Sequence, residues 1–572
     1  MTRFAALFTV AVLYLAPPPA TPAQVAPAGS HDPWWKHAVF YEIYPRSFQD
    51  TSGDGVGDLN GIAQRLDYLK SLGIDAIWIA PCFPSPLVDF GYDVSNYEAI
   101  DPQFGMPADF DRLVAEAKKR DIRILLDMVA NHTSDQHPWF VASRSSKADP
   151  KRDWYIWRDG KVDSNGKMGP PNNWHSTFGG SSWTLDPKTG QYYYHKFYAQ
   201  QPDLNWRNPE VEKAMFNQMR FWLGRGVAGF RLDAIDTLLE DPSLADEEYR
   251  RAANGEIARD RTGTPLTKGD KTSNLPEIHD IIRRMRAMID SYPGDRVLVG
   301  ETYLPNVQEL DKWYGGAAKD ELQLPMDTQV GVRNTLNAAQ WRTRLDDAET
   351  QLHGSMPLLV YDNHDNERLD RYCRASNGAA PGADCRQIQK MLATILFTAR
   401  NAALMYYGDE IGMATSPVSL DPQRRRDSER TPMQWNRSKN AGFSTAESTW
   451  LPVETDYPSV NVADEEEDPE SLLQWYKSMI TLRRTNPVLI AGAQTSCDAG
   501  NNNVVAYTRS LNGATIVVLT NFSGSEQKAS LRAFAGKNVR LLKANFTANP
   551  DSTSGDPAIT LPAYGAFVGE VK

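Results

Sequence analysis

The chain has 572 residues with a formal net charge of -11, a length that fits several domains or one large barrel with additions. The acidic balance argues against nucleic acid and anionic membrane as partners, since both repel a surface of their own sign. Fifteen Trp and 23 Tyr exceed what a core alone calls for, and spare rings suit ligands that present flat C–H faces.

Residues 1–23 read as an export signal. Arg3 supplies the positive start, Ala5 to Ala16 a short apolar run, and small residues up to Ala23 a cleavage site. The run is shorter than the ~20 residues of a membrane span, and no Cys stands near the cleavage point to mark a lipoprotein. The expectation is a secreted protein, periplasmic or extracellular, with Gln24 to Ser30 as a lead-in. Export permits disulfides. Cys373 and Cys385 flank a Gly/Ala/Pro loop and are the expected pair, with Cys82 and Cys497 as buried thiols. No cysteine spacing suggests zinc.

From Trp34 to about Arg484 the chain repeats strand, loop and helix. Strands are expected at Ala38–Tyr44, Asp75–Ala80, Ile122–Val129, Val227–Leu232, Arg296–Val299, Glu321–Leu324, Pro357–Tyr361 and Ala403–Tyr406. Helical patterns cover Gly61–Leu72, Pro107–Lys119, Val211–Leu223, Leu275–Ser291 and Gln387–Thr398. Eight such units predict an α/β fold, a (β/α)8 TIM barrel with working residues at the C-terminal strand ends. A doubly wound sheet is disfavoured because no Gly-rich dinucleotide fingerprint follows the first strand. Two segments break the pattern. The stretch 133–206, rich in Trp, Tyr, Pro and Gly, is too long for a simple connection and is read as a lobe inserted after strand three, between barrel parts 31–132 and 207–485. Residues 486–572 alternate in short strands (Val504–Arg509, Thr515–Thr520, Val539–Lys543, Ala566–Val571), which predicts a C-terminal antiparallel β-sandwich.

Four motifs fall at strand ends: Asp127-Met128-Val129-Ala130-Asn131-His132, Arg231-Leu232-Asp233, Gly300-Glu301-Thr302 and Asn363-His364-Asp365. A barrel aims them all into one mouth. Carboxylates, two histidines and an arginine in one cleft suit glycosidic bond cleavage, where a retaining mechanism needs a carboxylate nucleophile and a protonated acid/base ~5–5.5 Å apart. Asp233 is the expected nucleophile, because the Arg231 guanidinium beside it favours the charged form. Glu301 follows an apolar run and is better placed to keep a proton. Asp365 would grip sugar hydroxyls, and His132 and His364 would donate to the same ring.

With Trp34-Trp35, Tyr41-Glu42-Ile43-Tyr44-Pro45-Arg46-Ser47-Phe48, Gln201-Pro202-Asp203-Leu204-Asn205-Trp206 and Glu429-Arg430-Thr431-Pro432-Met433-Gln434-Trp435, these motifs resemble the α-amylase family of retaining glycoside hydrolases, in its oligo-1,6-glucosidase and α-glucosidase branch. The resemblance implies Asp233 as nucleophile, Glu301 as acid/base and Asp365 as transition-state stabiliser. It also implies Tyr92 beneath the sugar, Asp89 paired with Arg430 to close the pocket, and Arg368 towards the leaving group. A closed pocket makes the enzyme exo-acting on small oligosaccharides.

The run Asp50-Thr51-Ser52-Gly53-Asp54-Gly55-Val56-Gly57-Asp58 places oxygen ligands at Asp50, Ser52, Asp54, Val56 and Asp58 with Gly at the sixth position, like the first half of a calcium loop. A structural Ca²⁺ or Mg²⁺ is expected there, as in related glucosidases, and no organic cofactor. Ala234 follows the nucleophile where α-1,6-cleaving relatives have Val, which leans towards α-1,4 bonds in maltose and short malto-oligosaccharides. Glu367 replaces a frequent Pro, and the segment from Met413 to Arg424 is short for the family; both bear on the acceptor side. A glucosyltransferase or sucrose isomerase is the alternative on this scaffold. A non-catalytic relative is disfavoured because all three carboxylates are present. No membrane or nucleic-acid partner is expected, and the chain should be a monomer or weak homo-oligomer.

Overall fold

The computed structural model describes residues 32–162, 166–260, 263–417, 427–548 and 557–572. The expected export signal, and the part of the 413–424 segment beyond residue 417, lie outside the described residues. Strands β1 (Val39–Ile43), β2 (Ala76–Ile79), β3 (Arg123–Val129), β4 (Gly229–Asp233), β5 (Val297–Gly300), β6 (Leu324–Asp327), β7 (Leu358–Val360) and β8 (Ala402–Tyr406) close into a parallel barrel in chain order. Strand β8 pairs back onto β1, with Val39 opposite Ala403. Because side chains alternate along a strand, Phe40, Trp78, Leu125, Val299, Leu358 and Leu404 fill the interior. Their neighbours Val39, Tyr41, Ile77, Ile79 and Leu126 pack outward against the helices.

Most strands fall within two residues of expectation at each end. The sixth is displaced: the expected Glu321–Leu324 is in fact Leu324–Asp327. Pro325 argues against a strand interior, so the pattern reads as ending where the strand begins. The expected helix at Gly61–Leu72 is two helices, Leu59–Gln64 and Leu66–Leu72, that meet at Arg65. The Arg65 guanidinium lies 3.9 Å above the Trp435 ring.

Within the stretch after β3, the segments Trp157–Arg158, Trp183–Asp186 and Gln191–Tyr194 form a three-stranded antiparallel sheet. Its own small core holds Ile156, Trp174, Trp183 and Tyr194. This lobe grips a second excursion, which the sequence pattern did not single out, between β4 and the helix Ile278–Asp290. Asn172 Nδ2 donates to the Leu244 carbonyl, Asn173 Nδ2 to that of Glu247, and Trp174 Nε1 to that of Ala245.

At the C-terminus β9 (Ala493–Ser496), β10 (Val504–Leu511), β11 (Ala514–Asn521), β12 (Val539–Ala544) and β13 (Ala566–Val571) make a five-stranded antiparallel sheet in the order 9-10-11-13-12. Alternation again divides the work. Val504, Ala506, Val517 and Phe567 face a two-stranded sheet (Gln527–Ser530 with Ala558–Leu561) to form a sandwich core, while Val505, Tyr507, Val518 and Val568 join the main core. Cys373 and Cys385 are bonded. Cys82 is a buried thiol as expected; Cys497 is half-buried at the end of β9, where the sandwich covers only one side. Among the described residues no helix is long and apolar enough to cross a membrane.

Candidate active site

The strand register assembles the site. Asp127 sits opposite Arg231 across β3 and β4, and Arg231 opposite Val299 across β4 and β5. Residues two apart on a strand share a face, so Arg231 and Asp233 point the same way. Arg231 is fully buried and holds three carboxylates. Its Nη1 donates to Asp127 at 2.9 and 3.0 Å and to Asp233 Oδ1 at 2.7 Å. Its Nη2 makes an ion-pair contact with Glu301 Oε2 at 2.8 Å, off the angle of an aligned hydrogen bond. Since adjacent nitrogens of one planar fork reach both, the Asp233 and Glu301 carboxylates lie within about 8 Å of each other. Just after Asp233 the chain turns: Ala234 takes φ 42, and its N–H donates to Glu301 Oε2 at 2.9 Å.

These groups open onto a cavity of about 430 Å³ lined by Asp233, Glu301, Asp365, Asp89, Tyr92 and His132, a volume suited to a sugar or two. Burial raises Glu301 to about 7; Arg231 opposes this, and repulsion from Asp233 and Asp365 adds to it. Asp233 is likewise raised to about 7, by burial against Arg231 and then by Asp127 and Asp365. Burial among like charges therefore favours a proton at this pair near neutrality. Asp233 has the aligned hydrogen bond from Arg231, so the charge belongs on Asp233 and the proton on Glu301. This refines the expectation of a simply ionised Asp233, because desolvation outweighs the guanidinium.

Other expected residues fall into place unevenly. His132 lies in the cavity wall with Nε2 3.0 Å from the Tyr92 carbonyl, and burial lowers it to about 4, so it is neutral. Asp89 accepts from Gln201 Nε2 at 3.0 Å. Arg430 reaches Asp365 Oδ1 with Nη2 at 2.7 Å and lies 5.2 Å from the Tyr44 ring centre. Three expectations need correction. Asp89 and Arg430, expected as a pair, hold Gln201 and Asp365 respectively instead of each other. Arg368 is fully buried and outside the cavity lining; it donates to the Tyr407 carbonyl at 2.7 Å with its guanidinium near the Tyr406 and Tyr407 rings. His364 is also fully buried and outside the lining, so it bears on Asp365 rather than on a sugar. Glu367 pairs with Arg374 at 2.7 Å on the surface. Residues that sequence reasoning missed complete the wall: Phe178, Lys196 and Phe197 from the lobe, and Asp236, Ser273 and Tyr303 from the loops after β4 and β5. Lys196 Nζ donates to Thr272 Oγ1 at 2.7 Å, joining lobe and excursion.

In the 50–58 loop, Asp50 accepts from the Gly53 and Gly55 amides at 2.8 and 2.9 Å, and from Ser52 and Ser444. Asp58 caps the helix Leu59–Gln64 through the Gly61 amide and also accepts from Thr51. Val56 donates its N–H to Asp54. Hard oxygens at this spacing suit Ca²⁺ or Mg²⁺ chemically, but here they close the loop on itself. Among the described residues no three His, Cys, Asp or Glu side chains gather around a point a metal could take.

Residues 42–492 match the model of the alpha amylase catalytic domain, and 495–568 that of the maltogenic amylase C-terminal domain. The chain belongs to the α-amylase family. It is thus a glycoside hydrolase, similar at 38% identity to an oligo-1,6-glucosidase of Parageobacillus thermoglucosidasius (86% of this chain, 90% of that one). An alpha-glucosidase of Apis mellifera is 36% identical, with 93% of each chain covered. Among solved structures, an α-glucosyl transfer enzyme superposes with a TM-score of 0.84 at 33% identity, covering 95% of this chain and 100% of that one. The trehalulose synthase of Pseudomonas mesoacidophila MX-45 gives 0.83 at 34% identity over the same shares.

Proposed function

We propose that this family member is a secreted, retaining, exo-acting α-glucosidase that releases terminal glucose from maltose and short malto-oligosaccharides. The observation that carries this reading is the single buried guanidinium holding Asp127, Asp233 and Glu301 at one cavity. Asp233 attacks the anomeric carbon while Glu301 gives its proton to the departing glycosidic oxygen, leaving a glucosyl ester on Asp233. Glu301, now ionised, takes a proton from water, which attacks the same carbon; two inversions retain the α configuration. Arg231 stays fixed while negative charge moves from Asp233 to Glu301, so one cation serves both half-reactions. Asp365, backed by Arg430, faces the positive charge that grows on the ring. The small cavity, walled by Asp89 beside Gln201, supports exo action, and the small Ala234 favours α-1,4 bonds.

The 50–58 loop as a Ca²⁺ or Mg²⁺ site also belongs to this proposal. It rests on the alternating oxygens, and an ion would take over carboxylates now bonded to loop amides. It would brace the loop away from the chemistry. Transfer to a sugar acceptor, as the names of two structural relatives suggest, is the second reading, and the lobe–excursion wall around Lys196 and Ser273 is where it would be decided. A product profile over maltose, isomaltose, sucrose, trehalose and maltotriose tests both. Glucose from maltose and maltotriose supports the first reading; isomerised sucrose or lengthened sugars at high substrate support the second.

A further inference from the structure

Behind the reacting carboxylates stands an acid that this mechanism does not use. Glu42, on β1, and His364, after β7, are both fully buried. Glu42 Oε1 lies 2.5 Å from His364 Nδ1 and also accepts the His364 main-chain N–H at 3.4 Å. Its Oε2 has no hydrogen-bond partner among the described residues. Across the ring, His364 Nε2 lies 3.2 Å from Asp365 Oδ2 and 2.6 Å from the Tyr92 hydroxyl. Nδ1 is thus hydrogen-bonded to a carboxylate, while Nε2 is hydrogen-bonded to the Tyr92 hydroxyl and in ion-pair contact with Asp365. The Tyr92 hydroxyl gives its own proton to Asp127 Oδ2 at 3.0 Å, so Nε2 must donate to that hydroxyl. With Nδ1 donating to Glu42, both ring nitrogens carry a proton, which only imidazolium provides. A carboxylate shut away from water also demands a cation, and His364 is placed to be the one for Glu42.

We propose that Glu42 is a positioning residue that keeps His364 doubly protonated, so that a permanent positive charge, its Nε2–H held by the Tyr92 hydroxyl, steadies Asp365 from behind while the open side of Asp365 faces the sugar. The catalytic consequence rests on the glycosidase reading; the protonation state does not. The other groups around the ring allow it. Tyr92 stacks at 5.2 Å, Tyr44 at 6.0 Å, and Trp78 meets the ring edge-on at 5.8 Å. Asp127, from β3, lies close enough to feel the imidazolium. The opposing cation is Arg430, whose Nε donates to the His364 carbonyl at 2.7 Å. Burial pulls the imidazole down, but Asp365 and Glu42 outweigh it and lift His364 to about 9.

The test is the titration of ¹⁵N-histidine-labelled protein by NMR. The chain has 9 His, and the His364 signals are assigned by their loss in His364→Gln. Both ring nitrogens should stay protonated to about pH 8, and Glu42→Gln should lower the transition by at least about one unit, the usual effect of a lost opposite charge. Titration of His364 below about pH 7 in the wild type, or an unmoved transition in Glu42→Gln, overturns the proposal. If Glu42→Gln does not fold, the wild-type titration still decides. On an aryl α-glucoside, Glu42→Gln should lower kcat about tenfold with KM nearly unchanged and shift the pH profile acidward. A lower Tm with the profile unmoved would mean a merely structural role and overturns it too. A wild type inactive on every α-glucoside would instead overturn the glycosidase reading, while the titration still tests Glu42.

Discussion

Glu301→Gln should stabilise the protein in a pH-dependent way while abolishing its activity. The glutamate is raised from its ordinary 4.5 to about 7, and each unit costs about 1.4 kcal/mol, so keeping it ionised in the fold costs about 3 kcal/mol. For an acid with a raised folded value, the folded state holds the extra proton between the two values. Stability therefore falls as pH rises from about 4.5 and levels off above about 7. Glutamine imitates the protonated acid, so it matches the wild type near pH 5 and escapes the penalty near pH 8. Arg231 keeps Asp127 and Asp233, which limits the loss from the missing charge. For a chain of this size about 3 kcal/mol corresponds to about 3 °C in Tm. The assay is calorimetry at a fixed scan rate at both pH values, with hydrolysis followed in parallel. A Tm gap equal at both pH values, or a variant less stable at the higher one, would refute the buried-acid argument.

Arg231→Met leaves the buried Asp127, Asp233 and Glu301 without their shared cation, and should cost about 3–5 kcal/mol in denaturant unfolding if the variant folds at all; a loss under about 1 kcal/mol would contradict the triple grip. Replacing Cys373 and Cys385 together by Ser frees a short loop of sequence separation 12 and should lower stability by about 2–3 kcal/mol, with kcat unchanged because the bond lies outside the cavity lining. Dialysis against EDTA should lower Tm, and Ca²⁺ or Mg²⁺ should restore it without altering KM; an indifferent Tm leaves the 50–58 loop as a self-closed turn.

The catalytic carboxylates were legible because each ends an apolar run in an eightfold alternation, a pattern that fixes where a side chain points without any knowledge of its neighbours. The Arg231–Asp233 contact was legible for the same reason, since two residues apart means one face. The grip of Arg231 on Asp127 and Glu301 was not, because it depends on the register between strands far apart in sequence. Lys196, Asp236 and Ser273 were missed because they come from irregular loops whose approach is set by bonds such as Asn173 to Glu247. Arg368 and His364 were misplaced outward: a motif names polar residues near a site but carries no sign of burial. Glu42 was read only as part of a motif, and its partner is 322 positions away.

Covalent capture of glucose on Asp233 is the most direct test of the mechanism. Mass spectrometry of the Glu301→Gln variant, quenched and digested after exposure to α-glucosyl fluoride, should find glucose esterified to the peptide that carries Asp233. Wild-type protein, followed by proton NMR, should release α-glucose first. β-Glucose as the first product, with no adduct on that peptide, would contradict the account.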